Sequence, residues 1–133
     1  ILTKTFLKKD IREVGSGNIG ATNVLRAGNK SIGYLTLVLD ILKAIIPVIY
    51  VKFNYPDYLF ISSLCAFLGH VFPIWLKFKG GKGVATYIGF LISLNFLIGL
   101  YFLFTWIIVA WISRYSSLSS LVASLVAPLY FFF

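Results

Sequence analysis

Long apolar segments dominate this chain and constrain its fold more than any other feature. Residues 32–51, 58–76, 84–112 and 118–133 are apolar almost throughout, and 59% of all residues are hydrophobic while 12% are charged. Soluble domains carry about 25% charged residues, and a helix needs about 20 apolar residues to span the hydrocarbon of a bilayer. We therefore expect an all-α, polytopic integral membrane helical bundle with short and broken helices, forming a single transmembrane domain over residues 1–133.

The third apolar segment, residues 84–112, is too long for one ordinary membrane crossing. At about 1.5 Å per residue it would exceed 40 Å, against about 30 Å of hydrocarbon. It is either one long tilted helix or two short helices broken near residues 93–95. The following turn, residues 113–117, contains Arg114 and no acid. Positively charged loops stay on the cytoplasmic side, so this turn and the lysine-rich turn at Lys77–Gly83 share a face, which favours the broken pair.

The basic residues of the chain lie in short polar stretches beside the apolar segments. Twelve Lys and Arg face four Asp and Glu, for a formal charge of +8. This distribution predicts phosphate groups or anionic lipid as partners, and no nucleic acid. Residues 3–31 and both turns are predicted to be cytoplasmic, with residues 52–57 outside. The single cysteine, Cys65, permits neither an internal disulfide nor a multi-cysteine metal site.

The lysine-rich turn predicts an anion site at the membrane surface. Its core is Lys79-Gly80-Gly81-Lys82-Gly83. Glycine allows the backbone to approach a ligand closely, and lysine supplies compact positive charge. A loop that only sets membrane orientation is the alternative, but orientation requires charge and no glycine. A nucleotide-binding Walker A loop is excluded, because Lys82 is followed by glycine instead of Ser or Thr.

A second glycine-rich stretch lies near the N-terminus. Residues 15–20 match the G-x-G-x-x-G pattern, but no buried strand precedes them, so a dinucleotide site is excluded. The glycines are expected either to expose backbone N–H groups to an anion or to form a flexible loop. Thr22, Asn23 and Arg26 share one helical face, where Arg26 is a candidate phosphate ligand. Alternatively, Asn18 or Thr22 only caps a surface helix.

Two charges and one histidine lie within the apolar segments. Asp40 and Lys43 are three residues apart, and intramembrane charges are usually paired or functional. A mutual pair is favoured, and a contribution of Lys43 to a basic pocket is the alternative. His70 is the only histidine, and Trp75 stands where a His-x-x-x-x-Asp catalytic pair would have its carboxylate. A hydrogen-bonding role for His70 near a helix end is therefore favoured over catalysis.

The third polar motif is the serine-rich turn, which contains Ser116, Ser117, Ser119 and Ser120. Ser117 and Ser120 share a helical face, or belong to a helix N-cap region. Taken together, the three motifs resemble the PlsY family of bacterial acyl-phosphate:glycerol-3-phosphate acyltransferases. The resemblance covers Asp10 to Arg12, Gly15 to Asn18, Gly20 to Asn23, Arg26, Gly28, Lys30, Gly33, Gly69, His70, Phe72, Pro73, Phe78 to Thr86 and Ser117 to Ser120.

The resemblance implies transfer of a fatty acyl group from acyl phosphate to the 1-hydroxyl of glycerol 3-phosphate, giving lysophosphatidic acid. A small membrane anion transporter or channel subunit without enzymatic activity is the alternative. The enzyme would lie in the bacterial cytoplasmic (inner) membrane with its active site on the cytoplasmic side, contact membrane lipid, and need no cofactor or metal. The implied catalytic residues are Ser16, Arg26, Lys82 and Ser120. The implied phosphate-binding residues are Asn18, Thr22, Asn23, Lys79, Gly80, Gly81, Gly83 and Ser117, with Lys43 and His70 in support.

Two family features are missing from the chain. By analogy with the family, it is expected to be a fragment of a longer protein of about seven helices. Ile1 to Lys8 would be the end of a first helix that is mostly missing. The family's final segment, which carries a His-x-x-Asn pair, has no counterpart before Phe133.

Overall fold

The computed structural model describes residues 10–131, and within this range it contains helices and turns and no strand. Ile1 to Lys8, the predicted end of a first helix, lie outside the described residues. The α-helices are α1 (Ala21–Arg26), α2 (Lys30–Asn54), α3 (Leu59–Val71), α4 (Val84–Leu94), α5 (Phe96–Ser113) and α6 (Ser116–Val126). Short 3-10 helices cover Ile11–Glu13, Pro56–Tyr58, Ile74–Leu76 and Ala127–Phe131. The expected all-α fold with short and broken helices is confirmed.

Asparagine side chains begin two of the helices. Asn29 accepts a hydrogen bond from the N–H of Ile32 at the start of α2. Asn95 accepts from the N–H groups of Leu97 and Ile98 at the start of α5. Short polar side chains satisfy the unpaired N–H groups of a first helical turn. The break predicted near residues 93–95 is therefore confirmed, and Asn95 is its cause.

The helices differ in whether they are long enough to cross a membrane. Three segments of the described chain are long and apolar enough: Lys30–Asn54, Pro56–Leu76 and Phe96–Ser113. Helices α4 and α6 have 11 residues each, which is about half the length of a span. Large apolar side chains point outward, for example Phe53 and Trp111, which are 81% and 82% exposed. Lipid tails rather than water surround such side chains in a membrane protein.

Helices α2 and α4 lie side by side and run in the same direction. The Thr86 hydroxyl donates to the Asp40 carbonyl at 3.2 Å, and Lys52 Nζ donates to the Ser93 carbonyl at 2.8 Å. Between these points, a Cβ on Gly89 would lie 2.5 Å from a backbone oxygen of α2. Small residues allow membrane helices to approach this closely. Because Thr86, the third residue of α4, lies at the level of Asp40, about eight residues of α2 extend about 12 Å beyond the start of α4.

Helices α5 and α6 each return along the preceding helix. A Cβ on Gly99 would overlap Ile92, so α5 folds tightly back on α4. Trp106 Nε1 donates to Ser120 Oγ at 3.2 Å, which pairs α6 with α5 in the opposite direction. The lysine-rich turn and the serine-rich turn consequently lie at the same end of the bundle, as the charge pattern predicted. Helices α4, α5 and α6 and the short helix after them share a hydrophobic core, formed by Ile88, Leu91, Ile98, Phe102, Ala123 and Ala127.

Candidate active site

Residues 11–20 form a loop, here called the glycine-rich loop. It is organised around the side chain of Asn23, which is fully buried. Asn23 Nδ2 donates to the carbonyl oxygens of Ile11, Val14 and Asn18 at 3.0, 2.9 and 2.8 Å. Its Oδ1 accepts from the N–H of Ser16 at 3.0 Å. All polar atoms of the carboxamide are therefore engaged by the loop, and Asn23 shapes the loop instead of presenting its side chain to a ligand.

Three other polar residues of this motif lie on the surface. Ser16, Thr22 and Arg26 are exposed. The N–H of Gly17 donates to the Val14 carbonyl at 3.1 Å, and the N–H of Gly20 donates to Asn18 Oδ1 at 3.3 Å. The N–H groups of Gly17 and Gly20 are therefore used within the loop and are not free to bind an anion.

The first two glycines of the lysine-rich turn pack against the end of α3. The N–H groups of Gly80 and Gly81 donate to the carbonyls of Val71 and His70 at 3.1 and 3.2 Å. A Cβ on Gly80 would overlap the carbonyl oxygens of both acceptors, and a Cβ on Gly81 would overlap the His70 ring. The structure therefore explains these two glycines by close packing, with their N–H groups already bonded inside the protein.

Gly83 leads directly into α4. Its φ of +77° lies in the left-handed region, which favours glycine. A Cβ at this position would also lie 2.5 Å from the Phe67 ring. Lys82, immediately before it, is exposed, as are Lys77 and Lys79. The turn thus holds three cationic side chains at the end of the bundle where α4 and α6 begin.

Lys82 and the serine-rich turn line one cavity of about 340 Å³, here called the lysine–serine cavity. Its polar lining comes from Lys82, Gly83, Ser117, Ser120 and Ser124. Its apolar lining comes from Phe67, Val84, Tyr87, Phe102 and Leu121. Four of the residues predicted for the site therefore meet here, although they come from two motifs more than 30 residues apart in the chain.

The hydroxyl of Ser120 has a fixed orientation. It donates to the Ser116 carbonyl at 2.8 Å and accepts from Trp106 Nε1 at 3.2 Å. Trp106 was not predicted as a site residue, because a tryptophan in an apolar helix carries no local signal of such a contact. No histidine or carboxylate lines this cavity. A catalytic base for a serine nucleophile is therefore absent from its lining, which favours an orienting role for Ser120.

A second cavity, of about 320 Å³, lies where α2 meets the end of α3, and we call it the charged-pair cavity. Lys43 Nζ donates to Asp40 Oδ1 at 2.6 Å, so the predicted mutual pair is confirmed. Lys43 Nζ also contacts His70 Nδ1. These three residues line the cavity together with Asp10 and Arg12.

Asp10 and Arg12 form a local ion pair at the edge of this cavity. Arg12 Nη2 lies 2.7 Å from Asp10 Oδ2, and Arg12 Nε lies 3.0 Å from Asp10 Oδ1. Hydrogen bonding to Asp10 raises the pKa of Arg12 above its ordinary value, and the charge of Asp10 adds to this. Both residues belong to the first motif of the sequence, but neither was predicted as a site residue.

The predicted site residues are thus not all brought together in one cavity. Lys82, Gly83, Ser117 and Ser120 line the lysine–serine cavity, while Lys43 and His70 line the charged-pair cavity. Neither cavity is lined by the remaining predicted residues: Ser16, Asn18, Thr22, Asn23, Arg26, Lys79, Gly80 and Gly81. Within residues 10–131, no group of three His, Cys, Asp or Glu side chains is arranged to hold a metal ion.

The model of the family described as glycerol-3-phosphate acyltransferase matches residues 1–133, the whole chain. The chain belongs to the glycerol-3-phosphate acyltransferase family. A glycerol-3-phosphate acyltransferase of Pelagibacter ubique is 72% identical over 130 residues, covering 98% of this chain and 68% of the relative. One of Bartonella henselae is 49% identical, covering 100% and 65%. The chain therefore spans about two thirds of the length of these family members.

Solved structures of the family share the fold of this chain. It is similar to the crystal structure of PlsY, an integral membrane glycerol 3-phosphate acyltransferase, in its glycerol 3-phosphate form. The TM-score is 0.90 at 36% identity, covering 98% of this chain and 67% of that one. The lysophosphatidic acid form gives a TM-score of 0.82 at 38% identity, covering 89% and 62%. This chain is accordingly a multi-pass integral membrane member of the family.

Proposed function

We propose that the protein containing this chain transfers a fatty acyl group from acyl phosphate to the 1-hydroxyl of glycerol 3-phosphate. The products are lysophosphatidic acid, an intermediate of phospholipid synthesis, and inorganic phosphate. The observation that carries this proposal is the lysine–serine cavity, which Lys82, Ser117 and Ser120 line together with aromatic and aliphatic residues. Such a lining suits a ligand that is phosphate at one end and hydrocarbon at the other.

The reaction needs little from the protein beyond charge and alignment. The 1-hydroxyl oxygen of glycerol 3-phosphate attacks the acyl carbonyl carbon and forms the ester bond. The bond between that carbon and the phosphate oxygen breaks, and the departing phosphate takes the hydroxyl proton. Each substrate phosphate carries about −1.5 to −2 charges near neutral pH. Cations that neutralise this charge and groups that align the hydroxyl with the carbonyl supply the catalysis.

We assign roles to the predicted residues on this basis. Lys82 and Arg26 hold substrate phosphates, with Lys79 adding positive charge at the same end of the bundle. Ser120 orients a substrate oxygen within the cavity, and Ser117 and Gly83 complete its polar wall. Ser16, Asn18 and Thr22 act from the glycine-rich loop, whose shape depends on Asn23. Gly80 and Gly81 contribute by placing the turn against α3, and the charged pair with His70 supports that placement.

We further propose that this site faces the cytoplasm from the bacterial inner membrane. The lysine-rich turn and Arg114 are basic and lie at the same end of the bundle, and basic loops remain on the cytoplasmic side. Water-soluble glycerol 3-phosphate would reach the site from that side, while the acyl chain would lie among the apolar walls of the cavity.

The test is an acyl-transfer assay with the full-length protein reconstituted in phospholipid vesicles. Acyl phosphate, acyl-CoA and acyl carrier protein are compared as donors, and lysophosphatidic acid is measured. Acyl phosphate is expected to support turnover, and Lys82→Ala is expected to lower kcat/KM on the order of 100-fold. Lys77→Ala is the matched control, because it removes the same charge from an exposed position of the turn outside the cavity. Anion flux without acyl transfer, or equal effects of both substitutions, would refute the proposal.

A further inference from the structure

The ring of His70 is held in place by two charged residues of the neighbouring helix. Its side chain is only 6% exposed, and Nδ1 lies 3.6 Å from Asp40 Oδ1 and contacts Lys43 Nζ. Asp40 in turn holds Lys43 at 2.6 Å. The three side chains, which we call the histidine platform, thus join α3 to α2.

The opposite edge of the same ring supports the lysine-rich turn. A Cβ on Gly81 would overlap His70 Nε2 and lie 2.9 Å from Cε1 and 3.2 Å from Cδ2. The N–H of Gly81 also donates to the His70 carbonyl at 3.2 Å. Gly81 therefore contacts both the ring and the backbone of one residue. The next residue along the chain is Lys82, which lines the lysine–serine cavity.

We propose that the histidine platform positions Lys82 for catalysis by holding Gly81 in place. Glycines on both sides of Lys82 leave its backbone free to adopt many conformations, and contact with a fixed ring removes much of that freedom. His70 is a positioning residue, since it lies outside the lysine–serine cavity. The inference rests on the proposed function only through Lys82, whose displacement by about 1 Å can cost on the order of 100-fold in rate.

The decisive experiment combines a substitution that introduces a clash with one that removes it. Gly81→Ala places a methyl group against the ring and is expected to lower kcat/KM for glycerol 3-phosphate about 100-fold and to raise KM. His70→Ala alone is expected to cost about 10-fold, because the turn loses its support. In the double variant the methyl group has room, so activity should return to within about threefold of His70→Ala. Multiplication of the two single losses would overturn the proposal.

Gly80→Ala is the matched control. Its Cβ would overlap the carbonyl oxygens of His70 and Val71, which remain after the ring is removed. His70→Ala should therefore not rescue Gly80→Ala, and equal rescue of both glycine variants would show general loosening and refute the platform.

His70→Asn keeps a polar atom close to the position of Nδ1 and should rescue Gly81→Ala at least as well as His70→Ala. A merely structural defect would lower the active fraction, and hence kcat, while leaving KM unchanged.

A measurement independent of turnover separates this inference from the proposed function. Hydrogen exchange of the amides at Gly80 and Gly81 in the full-length protein should be faster in His70→Ala than in the unmodified protein. This result is expected even if no acyl transfer is detected, in which case only the proposed function fails. Unchanged exchange in the turn would refute the platform regardless of activity.

Discussion

Replacing Asn23 by alanine should release the glycine-rich loop while leaving the transmembrane helices folded. The side chain is fully buried and carries out two tasks. It bridges three carbonyls of the loop, and it accepts the N–H of Ser16. Alanine removes all four contacts.

The magnitude follows from the number of hydrogen bonds. At about 0.5–1 kcal/mol net for each bond, four contacts stabilise the closed loop by about 2–4 kcal/mol. Since about 1.4 kcal/mol corresponds to a factor of ten, amide exchange in the loop should accelerate about 30-fold to about 700-fold. The acceleration has an upper limit, which is the exchange rate of an unprotected amide. Once the loop is open most of the time, local opening no longer limits exchange.

The assay is hydrogen exchange by mass spectrometry on the full-length protein in detergent, without substrate. Faster exchange is expected for the loop amides that have internal partners, which are Arg12, Glu13, Val14, Ser16, Gly17 and Gly20. Thr22→Ala is the matched control, because Thr22 is an exposed neighbour on the same helix. If loop exchange were unchanged in Asn23→Ala, Asn23 would not be the organiser of the loop, and direct contact with substrate would become the better explanation.

Two further substitutions test contacts at opposite ends of the bundle. Lys52→Met removes an ammonium group from the carbonyls at the end of α4, which lie at 2.8 and 3.1 Å. It should lower stability by about 1 kcal/mol, measured as a reduced Tm in detergent, with KM unchanged. Trp106→Phe removes the N–H that orients Ser120, and should lower kcat/KM by about 3- to 10-fold in the acyl-transfer assay.

A different result would contradict each of these two predictions. An unchanged Tm in Lys52→Met would mean that the hydrogen bonds from the Lys52 ammonium group to the carbonyls of α4 stabilise the protein no more than hydrogen bonds to water. For Trp106→Phe, the decisive comparison is with Ser120→Ala. Once the serine hydroxyl is gone, the loss of the indole N–H should have little further effect on kcat/KM. Fully multiplicative losses would show that Trp106 does not act through Ser120.

Local sequence patterns predicted those features whose causes lie within one or two helical turns. The long apolar segments required helices, since only helices and closed barrels satisfy the backbone in lipid. The break after Leu94 depends on one asparagine that caps the following helix. The pair of Asp40 and Lys43 forms between residues three apart on one helix face. These interactions are visible to a reader of the chain because both partners occur in the same short window.

Tertiary contacts decide which of the predicted residues line a cavity and which are bonded inside the protein. Asn23 reaches back 12 residues to Ile11, and Trp106 reaches forward 14 residues to Ser120. Both contacts depend on how the chain folds back on itself. For the same reason the sequence assigned Asn23 and Gly81 to phosphate, whereas the structure engages their polar groups inside the protein.

The amino-acid sequence by itself determined that this chain is a helical membrane protein with basic, glycine-rich motifs, because hydrophobicity, charge and backbone freedom are properties of residue types and short windows. Only the tertiary structure decided which of those motifs meet. It joined Lys82 to the serine-rich turn in one cavity and placed His70 beneath Gly81. The physical reason is that side chains from different helices come together only through close packing, which depends on shape across the whole bundle.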